Sequence, residues 1–224
     1  MPKLKLKQDD LKKISSAVKK AESKTSGEIA TAIIKESYNY AVNELLFAVI
    51  VGFVYFVVMM FFAGNIENRL QSLFWDYHIG YLLIFYGFST FLMIALFYFL
   101  GNISSIDRLI VSKKIMQQKV KERALRHFME SGVYNTKDRT GILIFISILE
   151  KRVELLADSG INENIPPEKW QSIVDNIILG IKKKNVTSHL IESINECGEL
   201  LTEHFPIQAD DINELSDEID ILEK

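Results

Sequence analysis

The chain has 224 residues, 48% of them hydrophobic, with 26 lysines and arginines against 29 aspartates and glutamates, a formal net charge of -3. That balance argues against a general nucleic-acid binder, which would show a basic face able to neutralise phosphates, so nucleic acid is not an expected partner. A single cysteine excludes an intrachain disulfide framework, and Cys197 falls among apolar residues at helical spacing, where a core position is expected.

Residues 1–8 carry Lys3, Lys5 and Lys7 without an apolar run or a small-residue cleavage site, so they do not read as a secretory signal. From Asp9 to Lys24, Leu11, Ile14, Ala17, Val18 and Ala21 recur at helical spacing, which predicts an amphipathic helix with a lysine-rich outer face. Thr25-Ser26-Gly27 ends it. Residues 28–35, rich in small apolar and β-branched side chains, predict a largely buried first strand.

Two runs without any charged residue follow, Leu45 to Gly64 and Ile79 to Leu100. At ~1.5 Å of rise per residue, each is long enough as a helix to span the ~30 Å hydrocarbon core of a bilayer. Both are apolar on every face, which predicts a transmembrane hairpin at residues 41–103 and makes the lipid bilayer the first expected partner. Arg108, Lys113, Lys114, Lys119 and Lys121 follow the second run, whereas the connecting loop, Asn65 to His78, holds only Arg69. By the positive-inside rule both termini face the cytoplasm, and Leu70, Leu73, Phe74, Trp75 and Tyr77 of the loop lie near the outer interface.

Beyond the hairpin, Ser104 and Asp107 resemble a capping box, and Leu109, Met116, Val120, Ala124 and Phe128 mark one stripe of a long helix from Arg108 to Met129, stopped by Ser131-Gly132. Residues 141–148 are almost uninterrupted β-formers and predict a central strand covered on both faces. A short turn leads to residues 152–157, predicted as an antiparallel partner. Pro166-Pro167 opens a helix with Trp170, Val174, Ile177, Ile178 and Ile181 on its apolar face. Thr187 opens another with Leu190, Ile191, Ile194, Cys197 and Leu201, before an acidic tail at residues 207–224. The tail's acids read as a solvated surface, although Asn213-Glu214-Leu215 could dock its leucine.

The expected architecture is therefore α/β: a three-layer sandwich with a small mixed sheet, formed by residues 1–40 and 104–224 and interrupted by the hairpin. A right-handed crossover makes the first two strands parallel and the third antiparallel to both. That topology gathers Ser26 and Glu28, the loop of Asp138, Arg139 and Thr140, and Asp158 with Ser159 at one sheet edge. Glu28, Asp138 and Asp158 are candidate ligands for a hard cation, calcium or magnesium, and Arg139 for an anion such as phosphate. An ion pair in which Arg139 neutralises Asp158 or Glu28 is the structural alternative. No phosphate-binding glycine loop, paired His-and-Glu zinc helix, CxxC pair or Gly-x-Ser-x-Gly elbow is present, which lowers the expectation of an enzyme.

The run of residues 25–29 (TSGEI), residues 135–147 (NTKDRTGILIFIS), residues 152–158 (RVELLAD), Gly160-Ile161 and Trp170 together resemble the TPM-domain family. Residues 198–206 (GELLTEHFP) and 213–217 (NELSD) resemble its bacterial membrane branch, in which a transmembrane segment interrupts the domain. The resemblance implies an α/β sandwich in a bacterial cytoplasmic membrane. Thylakoid relatives are associated with photosystem repair, acid-phosphatase-like activity and calcium binding, and an animal relative is similar to a receptor-associated membrane protein. Glu28 stands where many secreted relatives carry an amide, and Asp158 where many have glycine. Two functions are thus expected: an adaptor or maintenance factor for membrane protein complexes, or a weak metal-assisted acid phosphatase in which Glu28 and Asp158 hold the ion while Arg139 and Asp158 act on the phosphate.

Overall fold

The computed structural model describes residues 6–101, 103–166, 168–209 and 211–223, without the side chains of Ser104 and Ser105. Lys3, Lys5, Pro167, Asp210 and the capping role of Ser104 therefore lie outside the described residues. The chain divides into two compact units, residues 39–112 and residues 2–38 with 113–224.

In the larger unit, α1 (Gln8–Glu22) buries Ile14, Ala17, Val18 and Ala21, the stripe its periodicity predicts. Strand β1 (Glu28–Ile34) follows across Gly27.

In the smaller unit, α2 (Ala41–Met60) and α4 (Ile79–Gly101) pack on each other along their length. Ile94 sits so close to Gly52 that a β-carbon there has no room. Phe47 meets Phe97 and Phe56 meets Tyr86 edge to face, at 6.3 and 5.9 Å, and the Tyr86 hydroxyl donates to the Met59 carbonyl at 2.9 Å. Their other faces stay apolar and bare: Phe53, Leu83, Phe91 and Phe99 are 66 to 72% exposed. Both helices are long and apolar enough to cross a membrane. The connection is not the open loop expected at residues 65–78, because α3 (Ala63–Leu73) occupies most of it.

The long helix expected from Arg108 to Met129 is two: α5 (Ser104–Ile110) and α6 (Lys113–Glu130). Val111 breaks the run with extended backbone (φ -88°, ψ 132°) and is 3% exposed. The β-branched pair Ile110-Val111 has weak helix preference, and Val111 gains more by burial than by continuing the helix.

A 3-10 turn (Val133–Asn135) leads to β2 (Gly141–Ser147), buried at every position, and β3 (Arg152–Ala157). The β2–β3 turn holds Lys151 at φ 52°. Three helices complete the unit: α7 (Ser159–Asn164), α8 (Lys169–Lys183) and α9 (Val186–His204). The sheet order is β3-β2-β1-β4, with β1 and β2 parallel from Glu28↔Gly141 to Ile34↔Ser147, and β3 antiparallel to β2. The fourth strand, β4 (Asp220–Leu222), lies in the acidic tail and pairs parallel to β1 from Ala32↔Asp220 to Ile34↔Leu222.

Period-2 alternation sends β1 and β2 side chains to opposite faces. Ile29, Ile33, Ile142, Ile144 and Ile146 meet α1, α8 and α9, while Ala32, Ile34, Leu143 and Phe145 meet Val120, Ala124 and Phe128 of α6. This is the three-layer α/β sandwich with a small mixed sheet. Each of these large apolar side chains contributes ~1.5–3 kcal/mol by its burial. Cys197 is fully buried within the first cluster, and burial pushes its thiol far up, so it is inert packing.

Candidate functional site

The parallel β1–β2 register and the antiparallel return of β3 bring three distant segments to one sheet edge. The Glu28 amide donates to the Thr140 carbonyl at 3.1 Å, and the Thr140 hydroxyl donates to the Ser26 carbonyl at 3.0 Å. The Asp158 amide donates to the Gly141 carbonyl at 2.9 Å. Arg139 sits in the left-handed region at φ 57°, between a loop closed by Thr140 N–H donating to Thr136 Oγ1 and the start of β2.

From that turn the Arg139 guanidinium makes a two-pronged contact with Asp158, Nε at 2.8 Å from Oδ2 and Nη2 at 3.0 Å from Oδ1. The Asp158 side chain is 5% exposed and that of Arg139 is 53% exposed, so the pair is half in water. Asp158 also caps α7, its Oδ1 accepting the Ser159 amide at 2.6 Å. Gly160 approaches the same loop, and a β-carbon there would lie 2.8 Å from the Asp138 carbonyl and 2.9 Å from that of Arg139. Gly160→Ala is accordingly expected to cost about 1–3 kcal/mol by overpacking, read from the urea midpoint, with α7 pushed off the loop.

Glu28 is drawn elsewhere. Its carboxylate, 4% exposed overall, accepts the amides of Glu214 and Leu215, both at 3.2 Å. Glu214 in turn accepts the Lys137 amide on both oxygens at 3.1 and 3.0 Å. Leu215 and Leu222 pack against the α6-side core, and Asp220 stands 3.1 Å from His127 Nε2. The tail is therefore docked rather than solvated. Burial raises the Glu28 pKa, the two tail amides oppose it, and the charges of Asp211 and Glu214 add to the rise.

Glu22, at the end of α1, accepts the Ile29 amide at 2.8 Å and meets the carboxyl of Asp217. Desolvation is the main reason its pKa is pushed up to about 9, against the pull of the Ile29 amide and with help from Glu28 and Asp217.

Of the sequence-predicted set, the structure joins Arg139 to Asp158, places Glu28 on the tail, and gives the Asp138 side chain no hydrogen bond among the described residues. Among the described residues, no group of three or more His, Cys, Asp or Glu is arranged to hold a metal ion. Both Glu28 oxygens accept tail amides, whereas Asp158 directs Oδ1 to the Ser159 amide and keeps Oδ2 against Arg139 Nε without a hydrogen bond among the described residues. Glu22 ends a lysine-rich helix and carries no local sequence signal beyond being an acid close to the Thr25-Ser26-Gly27 turn.

A helix-flanked mixed sheet whose edge is formed this way defines an α/β domain of a recognisable class: residues 104–200 match the family model of the TPM domain. The similarity to that domain covers residues 104–200, and the resembling motifs at residues 25–29 and 213–217 lie outside the matched stretch. The fold is similar to the NMR structure of the BA42 protein from the psychrophilic bacterium Bizionia argentinensis, with a TM-score of 0.59 and 20% identity over 99% of each chain. No curated protein matches the chain.

Proposed function

We propose that the protein is an integral membrane protein that presents its TPM domain to the cytoplasm as an adaptor or maintenance factor for membrane protein complexes. The observation that carries this is the consumption of the sheet-edge groups by the chain itself: Arg139 by Asp158, and Glu28 by the docked tail. An edge stabilised in this way presents a fixed surface rather than an open reaction centre. The bare apolar faces of α2 and α4 support membrane insertion, and the lysines after α5 support a cytoplasmic domain.

Site-specific photocrosslinking from the tail in intact membranes tests the adaptor role, with discrete membrane-protein adducts as the expected result. The alternative, a metal-assisted acid phosphatase, predicts turnover of a phosphate monoester that Arg139→Ala abolishes without unfolding the domain. On the adaptor role, wild type and that variant show the same background rate. Orientation is read separately: Gln71→Cys, between the two spans, is expected to react with an impermeant maleimide added outside the cell. Reaction only after the cytoplasm is opened would reverse the topology.

A further inference from the structure

β3 is an edge strand whose open side is defined by its hydrogen-bond phase. The Asp158 amide bonds the Gly141 carbonyl, so Arg152, Glu154 and Leu156 exchange bonds with Ser147, Phe145 and Leu143. Val153, Leu155 and Ala157 then turn their N–H and C=O groups away from the sheet. Asn162 Nδ2 donates to the Ala157 carbonyl at 2.6 Å, but among the described residues no hydrogen bond reaches the main chain of Val153 or Leu155. Four peptide groups in a row stand unpaired on a sheet edge, which is a template for another strand.

A groove of about 340 Å³ runs along this edge, between Gln117 of α6 and Trp170, Val174 and Ile178 of α8. The Trp170 indole N–H is buried without an acceptor among the described residues. On the α6 side, Glu154 is half-buried and its carboxylate accepts no hydrogen bond among the described residues, with Lys121 and Arg152 only near enough to act on it through space. A second copy of the chain does not suit the edge. Antiparallel self-pairing that uses all four open groups sets Val153 opposite Leu155, and so sets the two Glu154 carboxylates directly against each other.

We propose that the β3 edge binds an extended segment of a partner protein as a fifth strand, with a lysine or arginine opposite Glu154 and an apolar residue on either side of it facing α8. The pleat dictates that pattern: the residue opposite Glu154 shares its face, and its two neighbours turn toward Leu155, Trp170 and Val174. The main-chain bonds supply affinity and the central cation supplies selectivity.

The test uses the full chain in detergent micelles with fluorescent peptides centred on Val-Lys-Val, on Val-Glu-Val, and on Val-Lys-Val with both valine amides methylated. The lysine peptide is expected to bind about tenfold tighter than the glutamate peptide. Methylation abolishes binding, and Glu154→Lys reverses the preference. Amide exchange at Val153 and Leu155 slows when the lysine peptide binds, a readout that also certifies the fold of the variant. Equal binding of both peptides, survival of binding after methylation, no binding at all, or protection of the edge by self-association without peptide would each overturn the proposal.

Discussion

Replacing Asp158 with alanine is expected to lower the stability of the α/β unit by about 1–3 kcal/mol, read as a shift in the urea midpoint. Two losses combine. The cap on α7 goes with the Ser159 hydrogen bond, for about 0.5–2 kcal/mol. The two-pronged contact with Arg139 goes as well, leaving a left-handed turn at Arg139 without its anchor. Because the Arg139 side chain is 53% exposed and rehydrates when released, the pair is worth far less than a fully buried one. Arg139→Ala is therefore expected to cost less than Asp158→Ala, since it leaves the cap intact. Equal costs would mean that the pair, and not the cap, is what Asp158 maintains. Loss of any activity in an Asp158 variant accordingly identifies a site only if the fold is shown to persist.

The second large effect is a pH dependence opposite to that of an ordinary carboxylate protein. Glu22 holds its proton in the fold up to about pH 9, against a usual value of 4.5, so across that window the folded chain binds a proton that the unfolded chain has released. Stability then falls as pH rises, by up to ~1.4 kcal/mol per unit from this group, and levels off above the folded value. Glu28, also raised by burial, acts in the same direction. Urea midpoints measured at about pH 5.5 and about pH 8.5 are expected to be higher at the lower pH. Glu22→Gln keeps an acceptor for the Ile29 amide and cannot ionise, so it is expected to stabilise the domain at the higher pH by about 2 kcal/mol and to flatten the profile. That figure is well below the full electrostatic limit because Glu22 is only partly buried. An unchanged slope in the variant would mean that another group sets the pH dependence. Since Glu22 meets Asp217, release of the tail should accompany the loss of stability, visible as faster amide exchange at Ile221 and Leu222.

The elements legible from residues alone were those written in short-range periodicity. The apolar stripe of α1, the unbroken β-formers of β2 and the two charge-free runs at residues 45–64 and 79–100 each satisfy one local pattern, and the burial of α1 and β2 follows it. The parallel pairing of β1 with β2 also followed, because crossover handedness leaves few choices, and with it came the neighbourhood of Arg139 and Asp158. Val111 and α3 were not legible, because a backbone break and a helix in a loop depend on what each side chain can bury against.

The tail marks the sharper limit. β4 has only three residues and no hydrophobic run, and it exists because β1 offers it an unpaired edge and Glu28 holds Glu214 and Leu215 at their amides. Tertiary structure alone decided that Glu28 would serve the tail rather than Arg139, and that Glu22 would keep its proton. Hydropathy and strand order are properties of neighbouring residues. The partner and charge of a carboxylate are set by which donors and which water remain within reach once segments distant along the chain have met.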